Sequence, residues 1–224
     1  MKKFTAVAIA VFVWSLLGIG SNFYSFYYDR SAGQDLSINL LNPTPNHAYY
    51  LITVYDVYGN GLWQTNGTLT PHEGVFYTLS DYITGDTNNW GLVTVETGSE
   101  LVIGLEYLLE GELISTDVIT EPLHPMPNAP YWLASYYSQA AEVSTGVIVL
   151  NPWNTFTSLI IGIYSPDGEP LYTTTVNLPP HAGKFLDLES AVGKGGKIWG
   201  LVDVTMGGQS VVLAMEYYYQ GKLE

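Results

Sequence analysis

"LNPTPNHAYYLITVYDVYGNGLW" spans residues 41–63, and "LNPWNTFTSLIIGIYSPDGEPLY" spans residues 150–172. Laid over each other, Asn42-Pro43 meets Asn151-Pro152, an offset of 109. The same offset carries Tyr55 onto Tyr164 and Gly59 onto Gly168. It carries Pro71-His72-x-Gly74 onto Pro180-His181-x-Gly183, and Trp90-Gly91 onto Trp199-Gly200. "GLEYLLEGEL" (104–113) then meets "AMEYYYQGKL" (214–223) at an offset of 110, so one residue is inserted before it. "SFYYD" (25–29) is echoed by "ASYYS" (134–138). A chain that repeats itself at a fixed period builds one supersecondary unit more than once. Here one unit of roughly 95 residues is used twice.

Each copy reads as β. "YYLITVYD" and "SLIIGIYS" are rich in β-branched and aromatic residues, and "DLSINLLN" and "STGVIVLN" alternate apolar with polar. Both are strand signals. "VYGNG" and "PDGEP" are turns with Gly where positive φ is needed. "GVFYTLS" and "GKFLDLE", then "WGLVTVETG" and "WGLVDVTMG", continue the series. About seven short strands per copy, with turn signals every 8 to 12 residues, predict an all-β chain. The expected architecture is two tandem antiparallel immunoglobulin-like β-sandwich domains, with no amphipathic helix after the N-terminus.

The chain opens Met1-Lys2-Lys3 and runs on through "AVAIAVFVWSLLGIG" (6–20). A short positive end, an apolar run and small residues at Gly18 and Gly20 describe a secretory signal peptide. The run is short for a bilayer span, which needs roughly 20 residues, and that favours cleavage near Ser21 over a retained anchor. The expected plan is a signal peptide over 1–20, a first repeat over 21–119, a Pro-rich linker over 120–130 and a second repeat over 131–224. Without Cys, neither a disulfide nor a Cys lipid anchor is possible, so the fold rests on its core. The formal net charge is −14, and it grows more negative if Lys2 and Lys3 leave with the signal. Such a surface repels phosphate backbones and anionic lipid heads, which argues against nucleic acid. The expected location is extracellular or at the cell surface.

The first strand ending in Tyr-Tyr, "L-x-N-P", "Y-D-x-x-G", the Pro-x-x-Gly turn and "W-G-x-V-x-V" resemble a class of secreted bacterial β-sandwich repeats of unknown function. More loosely they resemble the small sandwich of sensory rhodopsin transducer-like proteins. The resemblance covers both copies and implies a sandwich fold and an extracellular location. It supplies no catalytic residues. The second copy has Ser165-Pro166 where the first has Asp56-Val57, which weakens any cation role for Asp56.

His72 and His181 have no clustered ligands in sequence and read as exposed turn residues. Glu106 and Glu216 each interrupt an apolar strand, beside small Gly104 or Ala214 on the same face. Paired carboxylates hydrolyse glycosides when roughly 5 to 9.5 Å apart. These two occupy equivalent places in different copies, so they read as structural. Trp90 and Trp199 read as packing residues. Trp63, in polar "NGLWQTNGTLT", and Trp153, in the loop "LNPWNT", are the candidate exposed aromatics. Exposed rings of this kind serve sugar sites and protein interfaces alike. Asn66-Gly67-Thr68 is a glycosylation sequon. No phosphate loop, nucleophile elbow, zinc spacing or calcium loop is present. "GKGGK" (193–197) has no basic counterpart in "TGDTNN" (84–89), which speaks against a phosphate cradle.

The sequence therefore points to a non-enzymatic structural or adhesive β-sandwich protein, with no catalytic residue, metal or cofactor. Its expected partner is protein, itself included, or surface polysaccharide. Carbohydrate binding through Trp63, Trp153, Glu106 and Glu216 is the alternative. The aromatic end stretches "NFYSFYYDR" (22–30) and "SVVLAMEYYYQGKL" (210–223) suggest head-to-tail association through a terminal strand, giving an oligomer or filament.

Overall fold

The computed structural model describes residues 22–84, 89–123, 130–139, 143–193, 199–207, 209–219 and 222–223. The expected signal peptide and most of the Pro-rich linker and of "GKGGK" lie outside them.

Strands are labelled in chain order. In the first repeat, β1 (Asn22–Asp29), β6 (Trp90–Thr97), β3 (Ala48–Asp56) and β4 (Gly61–Leu69) form one sheet in that order. β5 (Gly74–Thr78), β2 (Gln34–Leu41), β7 (Val102–Leu109) and β8 (Glu112–Ile119) form the other. In the second repeat, β9 (Pro130–Ser138), β14 (Trp199–Gly207), β11 (Thr157–Tyr164) and β12 (Pro170–Leu178) repeat the first sheet. β13 (Gly183–Asp187), β10 (Val143–Leu150), β15 (Val212–Tyr219) and β16 (Lys222–Leu223) repeat the second. All pairings are antiparallel. The described residues thus form four antiparallel sheets in two sandwich-like pairs, with eight strands in each repeat rather than seven. A five-residue helix, α1 (Leu188–Val192), is capped by Asp187, whose side chain accepts from the Glu189 N–H.

The repeated motifs recur as repeated geometry. Asn42 is buried and its Nδ2 donates to the carbonyls of Asn46 and Thr70, at 2.7 and 2.9 Å. Asn151 is buried and donates to the carbonyls of Thr155 and Pro179 at the same two distances. The Asn-Pro turn is therefore a buried amide clamp that ties the β2–β3 connection to the end of β4. His72 and His181 both hold left-handed backbone, at φ 62° and 57°. Asp56 is consumed by its own turn: its carboxylate accepts from the N–H groups of Tyr58 and Asn60 and from Asn60 Nδ2. In Trp-Gly-Leu-Val, glycine is required by close approach. A Cβ on Gly91 would meet the Tyr55 carbonyl at 2.2 Å, and one on Gly200 would meet the Tyr164 carbonyl at 2.0 Å.

Each repeat has its own apolar core. The first is built on Tyr24, Tyr28, Leu36, Ile38, Ile52 and Val93; the second on Tyr137, Val147, Val149, Ile161, Val202 and Val204. A third cluster belongs to neither. Leu92 of β6 and Ile148 and Leu150 of β10 are fully buried against one another, flanked by Tyr27, Tyr55, Trp90, Val212 and Ala214. This cluster joins the outer face of the β1-β6-β3-β4 sheet to the outer face of the β13-β10-β15 sheet.

Candidate functional site at the junction of the repeats

The same residue type meets different surroundings in the two copies. β6 is buried almost continuously, whereas its counterpart β14 alternates buried and exposed. An antiparallel sheet with one solvated face alternates, and a sheet covered on both faces does not. The outer face of β6 is covered by the second repeat.

The covering contacts are specific. The Tyr55 ring stacks on His181, with centroids 4.2 Å apart and planes at 10°. The Gly183 N–H donates to the Val57 carbonyl at 2.8 Å, and Tyr58 forms a β-bridge with Ala182. Gly59 approaches so closely that a Cβ there would meet the Pro180 carbonyl at 2.3 Å. Phe23 stacks on Trp153, centroids 5.2 Å apart, and Trp153 Nε1 donates to the Ser210 carbonyl at 2.6 Å.

At the edge of this junction lies its polar cluster. The Tyr27 hydroxyl donates to Glu216 Oε1, and the Tyr218 hydroxyl donates to Glu216 Oε2. Asp29 stands beside them; its carboxylate accepts from the Ser31 N–H at 2.6 Å, from Ser31 Oγ at 2.9 Å and from Gln34 Nε2 at 3.3 Å. Burial raises the Glu216 pKa above its ordinary value; the two tyrosine hydroxyls pull it down, and the Asp29 charge pushes it up. Burial, reinforced by the neighbouring carboxylates, holds the Tyr27 and Tyr218 phenols far above the tyrosine range. Both phenols therefore stay protonated donors. Burial also holds His181 below its ordinary value, which favours the neutral ring stacked on Tyr55.

Tyr27, Asp29, Trp90, Phe185, Glu216 and Tyr218 surround a recess of about 210 Å³. Ligand sites run from roughly 300 to 1,000 Å³, so the recess is too small for a sugar chain. A larger groove of about 500 Å³ runs along β15, between it and strands β1, β7 and β8. Its polar groups are largely spoken for: Ser25 Oγ donates to the Val93 carbonyl, and Asp117 accepts from the Val118 N–H. No cluster of three or more His, Asp or Glu placed to hold a metal occurs among the described residues.

The sequence-selected residues fall out as follows. Glu216 is buried at the junction, but Glu106 is half-buried on the outward side of β7 and far from it in role. Their shared position hid unequal surroundings. Trp63 and Trp153 were expected to be exposed, and both are half-buried. Trp63 stacks on Tyr82 at 4.5 Å and meets Tyr77 edge-on at 5.5 Å; Trp153 is the clamp on Phe23. His181 is half-buried rather than an exposed turn residue, while His72 is exposed. Trp90 is half-buried in the junction, and Trp199 is exposed. Asn66 is exposed on β4. Sequence reasoning missed Tyr27 and Asp29. The signal was the one charge difference between "SFYYD" and "ASYYS", Asp29 against Ser138. The terminal stretches also differ from expectation in part: β15 is paired with β10 along its length and with β16 at Tyr218 and Tyr219, so it is not a simple edge.

No family model matches the chain, and no curated protein does either. Solved structures with partial likeness include a protein of Parabacteroides distasonis, 9% identical over 90% of this chain and 84% of that one, with a TM-score of 0.25. The PBSX exported protein XepA is 11% identical over 88% of this chain and 81% of its own, at a TM-score of 0.26. VP2 of infectious bursal disease virus is 9% identical over 91% and 70%, at 0.22. The likeness is remote in shape as well as in sequence. Among the described residues no helix is long and apolar enough to cross a membrane.

Proposed function

We propose that this chain is a non-enzymatic structural or adhesive protein of the cell exterior, in which two β-sandwich repeats are locked into one rigid unit. One observation carries this reading. The carboxylate most suggestive of catalysis, Glu216, has both oxygens engaged by tyrosine hydroxyls from the two sides of the junction. It is a brace between repeats. A raised carboxyl beside a second carboxylate is also the arrangement of an acid–base pair, and Glu216 also lines the groove of about 500 Å³, but both of its oxygens are already engaged by tyrosine hydroxyls.

Carbohydrate binding is the alternative reading. What favours it is the aromatic ledge of Trp63, Tyr77 and Tyr82, in which Tyr82 stacks on Trp63 and remains exposed. A single set of proteins tests both. Glu216→Gln should lower stability, and the wild type should hydrolyse nothing in a panel of glycosides and polysaccharides. Tyr82→Ala should leave retention on isolated cell envelopes unchanged. Hydrolysis by the wild type that vanishes in Glu216→Gln refutes the structural reading. Polysaccharide pull-down lost in Tyr82→Ala establishes the alternative.

A further inference from the structure

The junction is asymmetric. The first repeat contributes the outer face of β1-β6-β3-β4, and the second contributes the outer face of β13-β10-β15. Each repeat possesses both kinds of face, because the strands and their order recur. Two faces are therefore left over: β9-β14-β11-β12 on the second repeat and β5-β2-β7-β8 on the first.

Both leftover faces carry several of the junction's residues at equivalent positions. In the junction Tyr27, Leu92 and Tyr55 form one cross-strand row. On the second repeat the row is Tyr136, Leu201 and Tyr164. Leu92 is 0% exposed and Leu201 is 44% exposed. Trp199 stands where Trp90 does, and Trp132 where Phe23 does; they are 51% and 68% exposed. On the first repeat Leu41 and Phe76 stand where Leu150 and Phe185 do, and are 46% and 55% exposed. Glu106 and His72 stand where Glu216 and His181 do. Gly59 is pressed on the opposing backbone, whereas its counterpart Gly168, with nearly the same φ, has open space around it. Contiguous exposed apolar faces on a folded chain mark interaction sites.

We propose that a second copy of this chain occupies these faces. The β9-β14-β11-β12 face of one copy docks on the β5-β2-β7-β8 face of the next, in the geometry that already joins the two repeats within a chain. The proposal rests on the structural reading and names that protein's partner. Tyr136 takes the place of Tyr27 over Glu106, Tyr164 faces His72, and Leu201 covers Leu41. The lateral faces match because the internal junction is their template. Asn39 replaces Ile148, Thr44 replaces Trp153, Ser138 replaces Asp29 and Leu108 replaces Tyr218, while Asp167 and Glu73 stand where Tyr58 bridges Ala182. The contact between copies is thus more polar than the internal one, and forms reversibly with concentration. It is heterologous, so each addition leaves the same two faces free, and growth runs on into an open filament unless the rotation per copy closes a ring.

Two single variants decide the matter. Leu201→Asp spoils the face on the second repeat, and Leu41→Asp spoils the face on the first. Both positions are half-exposed, so folding should survive, checked by circular dichroism and thermal melting. Trp132→Ser serves as a second variant of the former face. Protein purified in its secreted form should grow in mass with concentration by sedimentation velocity and show filaments or closed rings by electron microscopy. Each variant alone should need at least ~100-fold more protein to associate, since a carboxylate must be desolvated against apolar side chains. Mixed in equal amounts, Leu201→Asp and Leu41→Asp should form a 1:1 dimer and nothing larger, because one good face of each kind remains. A wild type that stays monomeric, variants that still polymerise, or a mixture that stays monomeric would overturn the proposal. So would polysaccharide binding lost in Trp132→Ser while the wild type remains a monomer. A failure of assembly leaves the non-enzymatic reading standing, which Glu216→Gln and the hydrolysis panel test separately.

Discussion

Leu92 and Leu201 are the same residue at the same place in two copies of one fold, with Tyr27 and Tyr55 beside one and Tyr136 and Tyr164 beside the other. They differ in what lies above them. Leu92 is fully buried against Ile148 and Leu150; Leu201 is largely exposed. Truncation to alanine removes three carbons, about 2–2.5 kcal/mol of transfer free energy where they are fully buried. The cavity left behind at a closed site brings the total to about 2–5 kcal/mol. At the open site the alanine meets solvent and no cavity forms, so the cost stays below about 1 kcal/mol. Leu92→Ala should therefore lose at least about 1 kcal/mol more than Leu201→Ala. Urea unfolding followed by tryptophan fluorescence and by circular dichroism gives both values. The protein must be dilute enough to be monomeric by light scattering. Losses equal within about 0.5 kcal/mol would mean the second repeat does not cover Leu92 in solution, and the junction would fall with it.

Two further outcomes follow from the junction. Burial raises the Glu216 carboxyl, so the folded chain holds its proton more tightly than the unfolded chain. Its contribution is whole below the ordinary value of 4.5 and is lost as pH rises through the folded value. Glu96, raised by burial, acts in the same direction, while His181, lowered by burial below 6.5, loses its contribution as pH falls. Glu216→Gln should flatten the decline in melting temperature above pH 4.5 without abolishing it, and an unchanged slope would refute the assignment. Residues 131–224 alone should give a folded sandwich, because β9 to β16 pair only with one another, but with a lower melting temperature from exposing Ile148 and Leu150. A disordered fragment by circular dichroism and proton NMR would show that the repeat depends on its partner's cover.

Most of the fold was legible because it is written in local chemistry. Asn-Pro, the Gly turns and Trp-Gly each recur at one offset, and each is enforced by something close at hand: a buried amide, a positive φ, a carbonyl 2.2 Å from where a Cβ would sit. Strand number slipped by one because β8, "ELISTDVI", is exposed along nearly its whole length and lacks a firm period-2 pattern. A deletion of residues 21–29 would not isolate terminal-strand pairing, because β1 is built into its own sandwich. Tyr24 and Tyr28 are fully buried in the first core, so the deletion would remove the fold along with the edge.

The site was hidden by the repeat that revealed the fold. A repeat argument treats equivalent residues as equal, and Glu106 with Glu216, His72 with His181, and Trp90 with Trp199 were each given one role. In a tandem of two, an asymmetric contact is made once, so each of these three pairs splits into a more covered member and a more open one. The splitting has a direction: sheet-one residues are covered in the first repeat and open in the second, and sheet-two residues the reverse. Three departures from equality follow that direction, although Asp29 and Ser25 against Ser138 and Ala134 run the other way. Ile148, Ala182 and Trp153 are apolar in the covered copy, and Asn39, Glu73 and Thr44 replace them in the open one. Leu201, Trp199, Trp132 and Tyr136 have not been replaced by polar residues. A face meant only for water would be blunted with charge, as exposed sheets usually are. The open face gains Asp203 and Asp167 where the covered one has Thr94 and Tyr58, yet Leu201, Trp199, Trp132 and Tyr136 keep an apolar patch beside them, and that patch is the physical reason to expect something to cover it.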